Sequence, residues 1–433
     1  MLPPNRAIRE AVLLTPIADA SRNGDPPGFD ETAPKCRLLV VKVASRCNLN
    51  CSYCYVYNAG DLSYLRQPVV MSDATVDALT KRVANHCRRH RLTGFTFVFH
   101  GGEPLLAGPR FFRRFAARLA AELPPETKPR LCLQSNGTLL TRDWCDLLTE
   151  LEIGLGISLD GPKRFNDLSR VDHAGHGSYD RVRAGWDTAR SCGLRPGLLA
   201  VVNLDADPIE IYNHAKELGP RSLDFLLPDG THDSPPPQYS WSAETTPYAD
   251  WLLRIFMAWV AEEKSPFRIR LFDYLMRTIL GGDDRFDNFN QNPNEVMVIE
   301  SNGDIESLDV LKICTDGMTQ SATNVHSHEL DEAFDNEMVR LYYNSGKNLC
   351  ARCENCLIKS VCAGGYLPHR YRRDNAFDNP SVYCRDLMKL ITGIQNWVVL
   401  NLPEGVLAGT DLTPVSYAEA RNHILAFPTI PTP

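Results

Sequence analysis

Between residues 37 and 228 short apolar runs alternate with longer amphipathic ones, and this alternation most restricts how the chain can fold. "RLLVVKVAS", "FTFVFH", "RLCLQS", "IGLGISLD", "RPGLLAVV" and "SLDFLLP" are bounded by turn residues and rich in β-branched or aromatic side chains, which predicts strands. "DATVDALTKRVANHCRRH", "PRFFRRFAARLAAEL", "RDWCDLLTEL", "YDRVRAGWDTARSC" and "PIEIYNHAKEL" carry helical spacing, several opening on Ser, Thr, Asp or Pro. Right-handed crossovers place each new strand beside its predecessor, so such units in series predict an α/β fold, a partial (β/α)6 barrel of TIM type. Barrel chemistry gathers at the C-terminal ends of the strands. Those ends carry Cys47, "HGGEP", "SNGT", "SLDGP" and "PDGTHD", five polar or glycine-rich groups in register with the expected site.

The remaining chain divides around that barrel. Residues 1–35 form an N-terminal extension, 36–235 the barrel, 236–295 a helical linker, 296–400 a cysteine-bearing domain and 401–433 a tail after the amphipathic helix "DLMKLITGIQNWVVLNL". "PYADWLLRIFMAWVAEE" places Leu252, Ile255, Phe256 and Trp259 on one face, the mark of a core-packing helix. "CRRHR" at 87–91 reads as a solvated helix end that could also steer an acidic peptide. A net charge of −7 disfavours a nucleic-acid partner. No apolar run approaches the ~20 residues that span a bilayer, and the N-terminus lacks the pattern of a secretory signal, so the expectation is a cytoplasmic protein without a membrane partner.

In that compartment fourteen cysteines do not make a disulfide framework. Cys36, Cys87, Cys132, Cys145 and Cys192 stand singly on apolar stretches and read as small core residues. The others cluster. Cys47, Cys51 and Cys54 follow the first strand at CxxxCxxC spacing, and three thiolates can hold three corners of a cubane while leaving the fourth iron open. A structural zinc site would want a fourth ligand, and no second pair or His lies nearby in sequence. The second group, "CARCENCLIKSVCAGGY…PSVYC", holds Cys350, Cys353, Cys356, Cys362 and Cys384; four thiolates would complete a cubane or a tetrahedral zinc site.

The CxxxCxxC loop with Tyr53 before its last Cys, and "GGEP" after the second strand, resemble the radical S-adenosylmethionine (SAM) enzymes. The resemblance implies a 4Fe-4S cluster on Cys47, Cys51 and Cys54 whose open iron chelates SAM, and reductive cleavage to a 5′-deoxyadenosyl radical. Gly101 and Gly102 would let backbone approach the methionine ammonium and Glu103 would neutralise it. Ser158, Asn136 and Arg170 match polar positions lining the SAM pocket, and Tyr53 would lie against the adenine; as plain sequence, Asn136-Gly137 and Asp160-Gly161 are also good turn pairs.

The second cysteine group resembles the SPASM extension of peptide-modifying radical SAM enzymes, which implies at least one auxiliary 4Fe-4S cluster on Cys353, Cys356, Cys362 and Cys384. Tyr366 and Leu308 stand where that family usually has further cysteines, so Cys314 and Cys350 are left to a second site whose presence stays open. Asp309 matches the aspartate that takes the substrate proton in related sulfatase-maturing enzymes, although a surface Asp in a hairpin would read the same. Asp229 and His232 are candidate substrate contacts or part of a solvated turn.

The tail motif and "FLLPDGTHDSPP" look most like cyclophane-forming maturases of ribosomally made peptides. That likeness implies abstraction of a β-carbon hydrogen from a precursor peptide, consisting of a leader and a core with an aromatic residue, and a carbon–carbon crosslink to the aromatic side chain. A flavodoxin- or ferredoxin-type reductant would supply the electron. Two alternatives stand beside it: another maturase outcome (formylglycine in a sulfatase, a thioether, an epimerised residue), or a metal-stapled scaffold that binds peptide without reacting.

Overall fold

The computed structural model describes residues 33–239, 244–282, 289 and 291–425. The expected N-terminal extension therefore lies outside the described residues apart from 33–35, as does the end of the expected tail. The described chain forms two compact units, one of residues 33–199 and 295–343, the other of the described parts of 200–294 and 344–425.

In the first unit β1 (Leu38–Ala44), β2 (Gly94–Gly101), β3 (Lys128–Ser135), β4 (Gly154–Ser158) and β5 (Gly197–Val201) are parallel and lie in consecutive order. Between them run α1 (Asp73–His90), α2 (Pro109–Glu122), α3 (Arg142–Glu150), α4 (Lys163–Ser169) and α5 (Tyr179–Ser191). This is the α/β fold with a parallel sheet expected from the sequence, and its strand order is that of a partial TIM-type barrel. The helix starts follow local chemistry: the Ser72 and Thr141 side chains accept from the amides of Thr75 and Trp144, and Pro109 fills the first turn of α2. Phe95, Phe97 and Phe99 point to one face of β2, where Phe97 and Phe99 pack edge-on against Phe115, and Phe99 against Phe112. The alternation of β2 thus separates an aromatic helix-facing side from the side that bears His100.

The other edge of β1 is covered from far downstream. Strand β8 (Val296–Ile299) pairs with β1 in parallel, Leu38 opposite Val296, and turns back through Gly303 (φ 93°) into the antiparallel β9 (Ile305–Glu306). The chain then enters a 3-10 turn, Asp309–Ile313, which brings Asp309 to the C-terminal end of β1.

The second unit contains β6 (Ser222–Leu226) paired in parallel with β7 (Arg268–Ile269), and the helices α6 (Pro208–Leu218), α7 (Pro247–Ala261) and α8 (Arg270–Ile279). After residue 344 come α10 (Ala351–Glu354), α11 (Lys359–Cys362) and α12 (Cys384–Asn401), while the short α9 (Glu337–Tyr343) closes the first unit. The face of α7 anticipated from its spacing is buried: Phe256 meets Phe272 of α8 and Trp397 of α12 edge-on. Trp251 and Trp259 donate their indole N–H groups to the carbonyls of Ala206 and Phe267, so neither indole is stranded. No helix among the described residues is long and apolar enough to cross a membrane.

Candidate functional site

The loop that carries Cys47, Cys51 and Cys54 leaves β1 and is pinned from two sides. The amides of Asn50 and Ser52 donate to the carbonyls of Val171 and Ser169, and His173 Nε2 lies 2.9 Å from the Cys47 carbonyl. On the other side the amides of Gly102 and Glu103 donate to the carbonyls of Ala44 and Arg46, at 2.8 and 2.9 Å. A Cβ on Gly101 would stand 2.1 Å from Ala44 O; one on Gly102 would stand 2.2 Å from Arg46 O and 2.1 Å from the Tyr57 hydroxyl. Both glycines are therefore needed by the chain itself, to let the end of β2 press against the start of the cysteine loop.

Glu103 is fully buried. Its Oε1 accepts from the Leu105 amide at 3.0 Å and the Ser135 hydroxyl at 2.8 Å, and its Oε2 from the Asn136 amide at 2.8 Å. Burial pushes its carboxyl above the usual range against those donors and Arg170. Asn136 reaches back with Nδ2 to Asn48 Oδ1 at 2.8 Å and lies 3.7 Å from Cys47 Sγ. Ser158 accepts from Gln134 Nε2 at 2.8 Å. Arg170, buried at the end of α4, donates through Nη1 to the Tyr53 hydroxyl at 2.7 Å, and Tyr53 donates to Asp160. The structure thus brings every expected residue of this group to the C-terminal ends of β1–β4.

The donor set suits an iron-sulfur cluster. Burial raises all three thiols, Cys47 to about 12, and the neighbouring sulfurs raise Cys47 and Cys51 further. Three such thiols gain most from a cationic centre that makes thiolates favourable. Arg170 Nε is buried without a hydrogen-bond partner beside them, a donor left for an anionic group.

A second constellation went unforeseen apart from its carboxylate. Asp309 is buried rather than a surface residue, and its Oδ2 is gripped by Lys42 Nζ and by the Tyr55 hydroxyl. Lys42 Nζ also donates to the Tyr55 hydroxyl at 3.0 Å and sits 3.1 Å from His100 Nδ1. Lys42 and His100 are paired across β1 and β2, which fixes their encounter by strand register. Burial would lift the Asp309 carboxyl, but Lys42 foremost holds it far below the usual carboxylate range. Burial first and Lys42 second push His100 down to about 3, so its imidazole is neutral. A lysine inside "LLVVKVA" was the available signal, since an unpaired ammonium does not enter a strand core.

In the second unit the structure draws Cys350 together with Cys353, Cys356, Cys362 and Cys384. Hydrogen bonding to Cys353 lowers the Cys350 thiol to about 6, and Cys353 is pushed up, with Cys384 and Cys362 adding to the rise. Burial and mutual repulsion raise Cys362, and raise Cys384 to about 12. Arg370, 2% exposed, lies among them; it donates to the carbonyls of Ser345, Asn348 and Phe377 and feels the charges of Cys353, Cys350 and Cys362. Nothing in the sequence pattern pointed to Arg370. Cys314, at the end of the 3-10 turn after Asp309, belongs to the first unit. His232 is spent on the Pro380 carbonyl at 2.8 Å, and Asp229 lies 3.5 Å from His369.

Parallel α/β architecture and a three-cysteine loop at the end of its first strand define an iron-sulfur enzyme. Residues 41–218, the stretch that carries the three-cysteine loop and "GGEP", match the model of the radical SAM superfamily. It is 28% identical over 356 residues to a cysteine-type anaerobic sulfatase-maturating enzyme of Clostridium perfringens, covering 81% of this chain and 94% of that one. With a serine-type anaerobic sulfatase-maturating enzyme of Bacteroides thetaiotaomicron it shares 27% over 358 residues, 78% of this chain and 83% of the relative. The structure of native anSMEcpe with bound AdoMet and Cp18Cys peptide superposes with a TM-score of 0.71 at 24% identity, covering 84% of this chain and 98% of that chain; it supports the fold. As a radical SAM enzyme of this type the chain uses SAM and 4Fe-4S clusters. These relatives bear the name of a maturase outcome that the sequence offered as the alternative to a cyclophane crosslink.

Proposed function

We propose that this enzyme oxidises one side chain in a peptide or protein substrate by removing a β-hydrogen, with formylglycine formation from Cys or Ser as its outcome. The observation that carries the reading is the buried Lys42–Tyr55–Asp309 group, in the same unit as Cys47, Cys51 and Cys54. Cys47, Cys51 and Cys54 would hold the cluster that binds SAM; Gly101, Gly102, Glu103, Asn136, Ser158, Arg170 and Tyr53 would shape the SAM pocket. Bound there, cluster and SAM supply the radical that takes the hydrogen atom.

Removing a second hydrogen gives the aldehyde directly from Ser, and from Cys a thioaldehyde that water converts to the aldehyde with release of hydrogen sulfide; that removal needs a place for one proton and one electron. Asp309 is the base: Lys42 keeps it ionised, so it accepts without first being deprotonated, from a hydroxyl or thiol made acidic by the neighbouring carbon radical. Cys353, Cys356, Cys362 and Cys384 would hold the auxiliary 4Fe-4S cluster that receives the electron, with Arg370 as buried counter-charge. The electron that starts the cycle comes from a flavodoxin- or ferredoxin-type protein. The names of the relatives support a sulfatase-type substrate. A crosslink asks for the same base and acceptor, and so becomes the competing outcome of the test.

Reconstituted enzyme, SAM and reductant are incubated anaerobically with sulfatase-derived peptides carrying Cys or Ser, and with any short peptide encoded beside the gene. Formation of 5′-deoxyadenosine with a hydrazide-reactive carbonyl at the Cys or Ser position is expected. Loss of two hydrogens confined to an aromatic tripeptide, with no carbonyl, would replace this reading by the crosslink.

A further inference from the structure

At the opposite end of the strands, where β1 and β2 begin, the first unit holds a second set of metal-ligating side chains. His86 and His90 stand one turn apart near the end of α1 and share a face, their ring centroids 4.4 Å apart. Asp331, in the 3-10 turn Leu330–Asp335, meets both: Oδ1 lies 3.2 Å from His86 Nδ1 and 2.6 Å from His90 Nε2. All three donor atoms lie within 4.8 Å of one another, the single such set of His, Cys, Asp or Glu among the described residues. The histidine side chains are 0% and 5% exposed, and that of Asp331 16%.

One atom in this set, His86 Nδ1, has the Asp331 carboxylate as its protein neighbour. His86 Nε2 is anchored by the backbone of Cys36, 3.0 Å from its carbonyl oxygen and 3.1 Å from its amide nitrogen. Its Nδ1 is buried and faces Asp331. An imidazole with one nitrogen beside a backbone carbonyl and the other directed at a carboxylate has the partners that a metal-bound histidine uses. Without a cation, Nε2 accepts from the Cys36 amide and Nδ1 turns its proton to Asp331; with one bound, Nε2–H turns to the Cys36 carbonyl and frees the Nδ1 lone pair.

We propose that His86 Nδ1, His90 Nε2 and Asp331 bind a divalent transition-metal ion of the zinc class, with a water molecule in the fourth position. Imidazole and carboxylate donors favour that class over calcium or magnesium. A tetrahedral ion with ligands at about 2.0–2.1 Å sets them about 3.3 Å apart, and His86 and Asp331 already match that spacing. His90 and Asp331 must part by less than ~1 Å to admit it. Arg89 Nη1, 3.7 Å from Asp331 Oδ2, is the cation that competes. The ion clamps the last turns of α1 to the segment that follows β9, away from the cysteine loop.

Cluster-loaded enzyme is equilibrated anaerobically with micromolar zinc sulfate, freed of excess, and its zinc and iron are counted beside His90→Gln and Asp331→Asn variants. One zinc per chain in the parent protein is expected, lost in both variants, with iron content and cluster absorption unchanged. Zinc should also raise the melting temperature of the parent and of neither variant. If Asp331→Asn also loses iron, His90→Gln decides the comparison. A parent protein that retains no zinc, or variants that retain as much as the parent, overturns the proposal.

Discussion

Lys42 and Asp309 form an ion pair whose side chains are 3% and 6% exposed, one from the first strand and the other from the turn after the last strand of the sheet. Removing one partner of such a pair leaves the other charge buried, which costs about 3–5 kcal/mol. Lys42→Met should therefore destabilise the protein by about that amount, and Lys42→Met combined with Asp309→Asn by clearly less than the sum of the single changes. Chemical denaturation of the three variants measures the coupling, and simple additivity would refute it.

The same pair sets a pH dependence. Asp309 is held below its unfolded value, so its contribution to stability is complete above about pH 4 and fades only as the pH falls through its folded value. Peptide oxidation should consequently show no acidic limb from this group near neutrality. Replacing Lys42 by Met lifts the carboxylate and should bring an acidic limb into the measurable range. Asp309→Asn should lower product formation about 10²–10⁴-fold while 5′-deoxyadenosine still forms, as expected for loss of a proton acceptor alone.

Glu306 behaves in the opposite sense. Burial first, and Glu300 second, raise its carboxyl to about 8 in spite of Lys312, which pairs with Glu300. A raised acid keeps its proton in the folded state, so stability should fall as the pH climbs from its unfolded value of about 4.3 towards 8. The drop amounts to a few kcal/mol. Glu306→Gln should flatten the curve of melting temperature against pH over that window, and an unchanged slope would count against it.

Gly102→Ala tests the close approach of β2 to the cysteine loop. The added methyl would meet the Arg46 carbonyl at 2.2 Å, a contact that backbone must move to relieve. Iron bound by Cys47, Cys51 and Cys54 should decrease, read as lower iron and loss of SAM cleavage, with the second cysteine group still loaded. Full iron with normal cleavage would show that the loop tolerates the shift.

Arg370 should act on the second group through charge. Losing a buried cation near a cluster makes adding an electron harder, so Arg370→Met should lower the potential of the auxiliary cluster and Arg370→Lys should largely restore it. Redox titration monitored by electron paramagnetic resonance distinguishes the two. Because Arg370 also holds three carbonyls, both variants should melt earlier, and only the potential should separate them.

The regular elements were legible because their spacing is long and clean: α1 and α6 have the bounds that their sequence patterns predict. The cysteines stood out by their spacing, whereas Glu103 and Asp309 were singled out only because their motifs resemble a known family. What stayed hidden was short or remote. The seven residues "KRFNDLS" of α4 carry too little periodicity, and β7, β8 and β9 are two to four residues long. Lys42, Tyr55 and His100 escaped because their meaning depends on Asp309, which strand pairing between β1 and β8 brings to them. The His86–His90–Asp331 set escaped similarly, since i,i+4 histidines at a basic helix end look like solvated surface until their third partner is placed.

The pairing of β8 with β1 has a consequence for biosynthesis. On the ribosome, β1 emerges about 250 residues before the strand that covers its edge, on the order of ten to fifty seconds at ordinary elongation rates. During that interval the nascent chain presents a bare strand edge and an ammonium on Lys42 without its counter-ion. The cysteine loop is therefore synthesised well before Asp309, and the order of translation itself delays closure of the buried ion pair until residue 309 of 433 has been made.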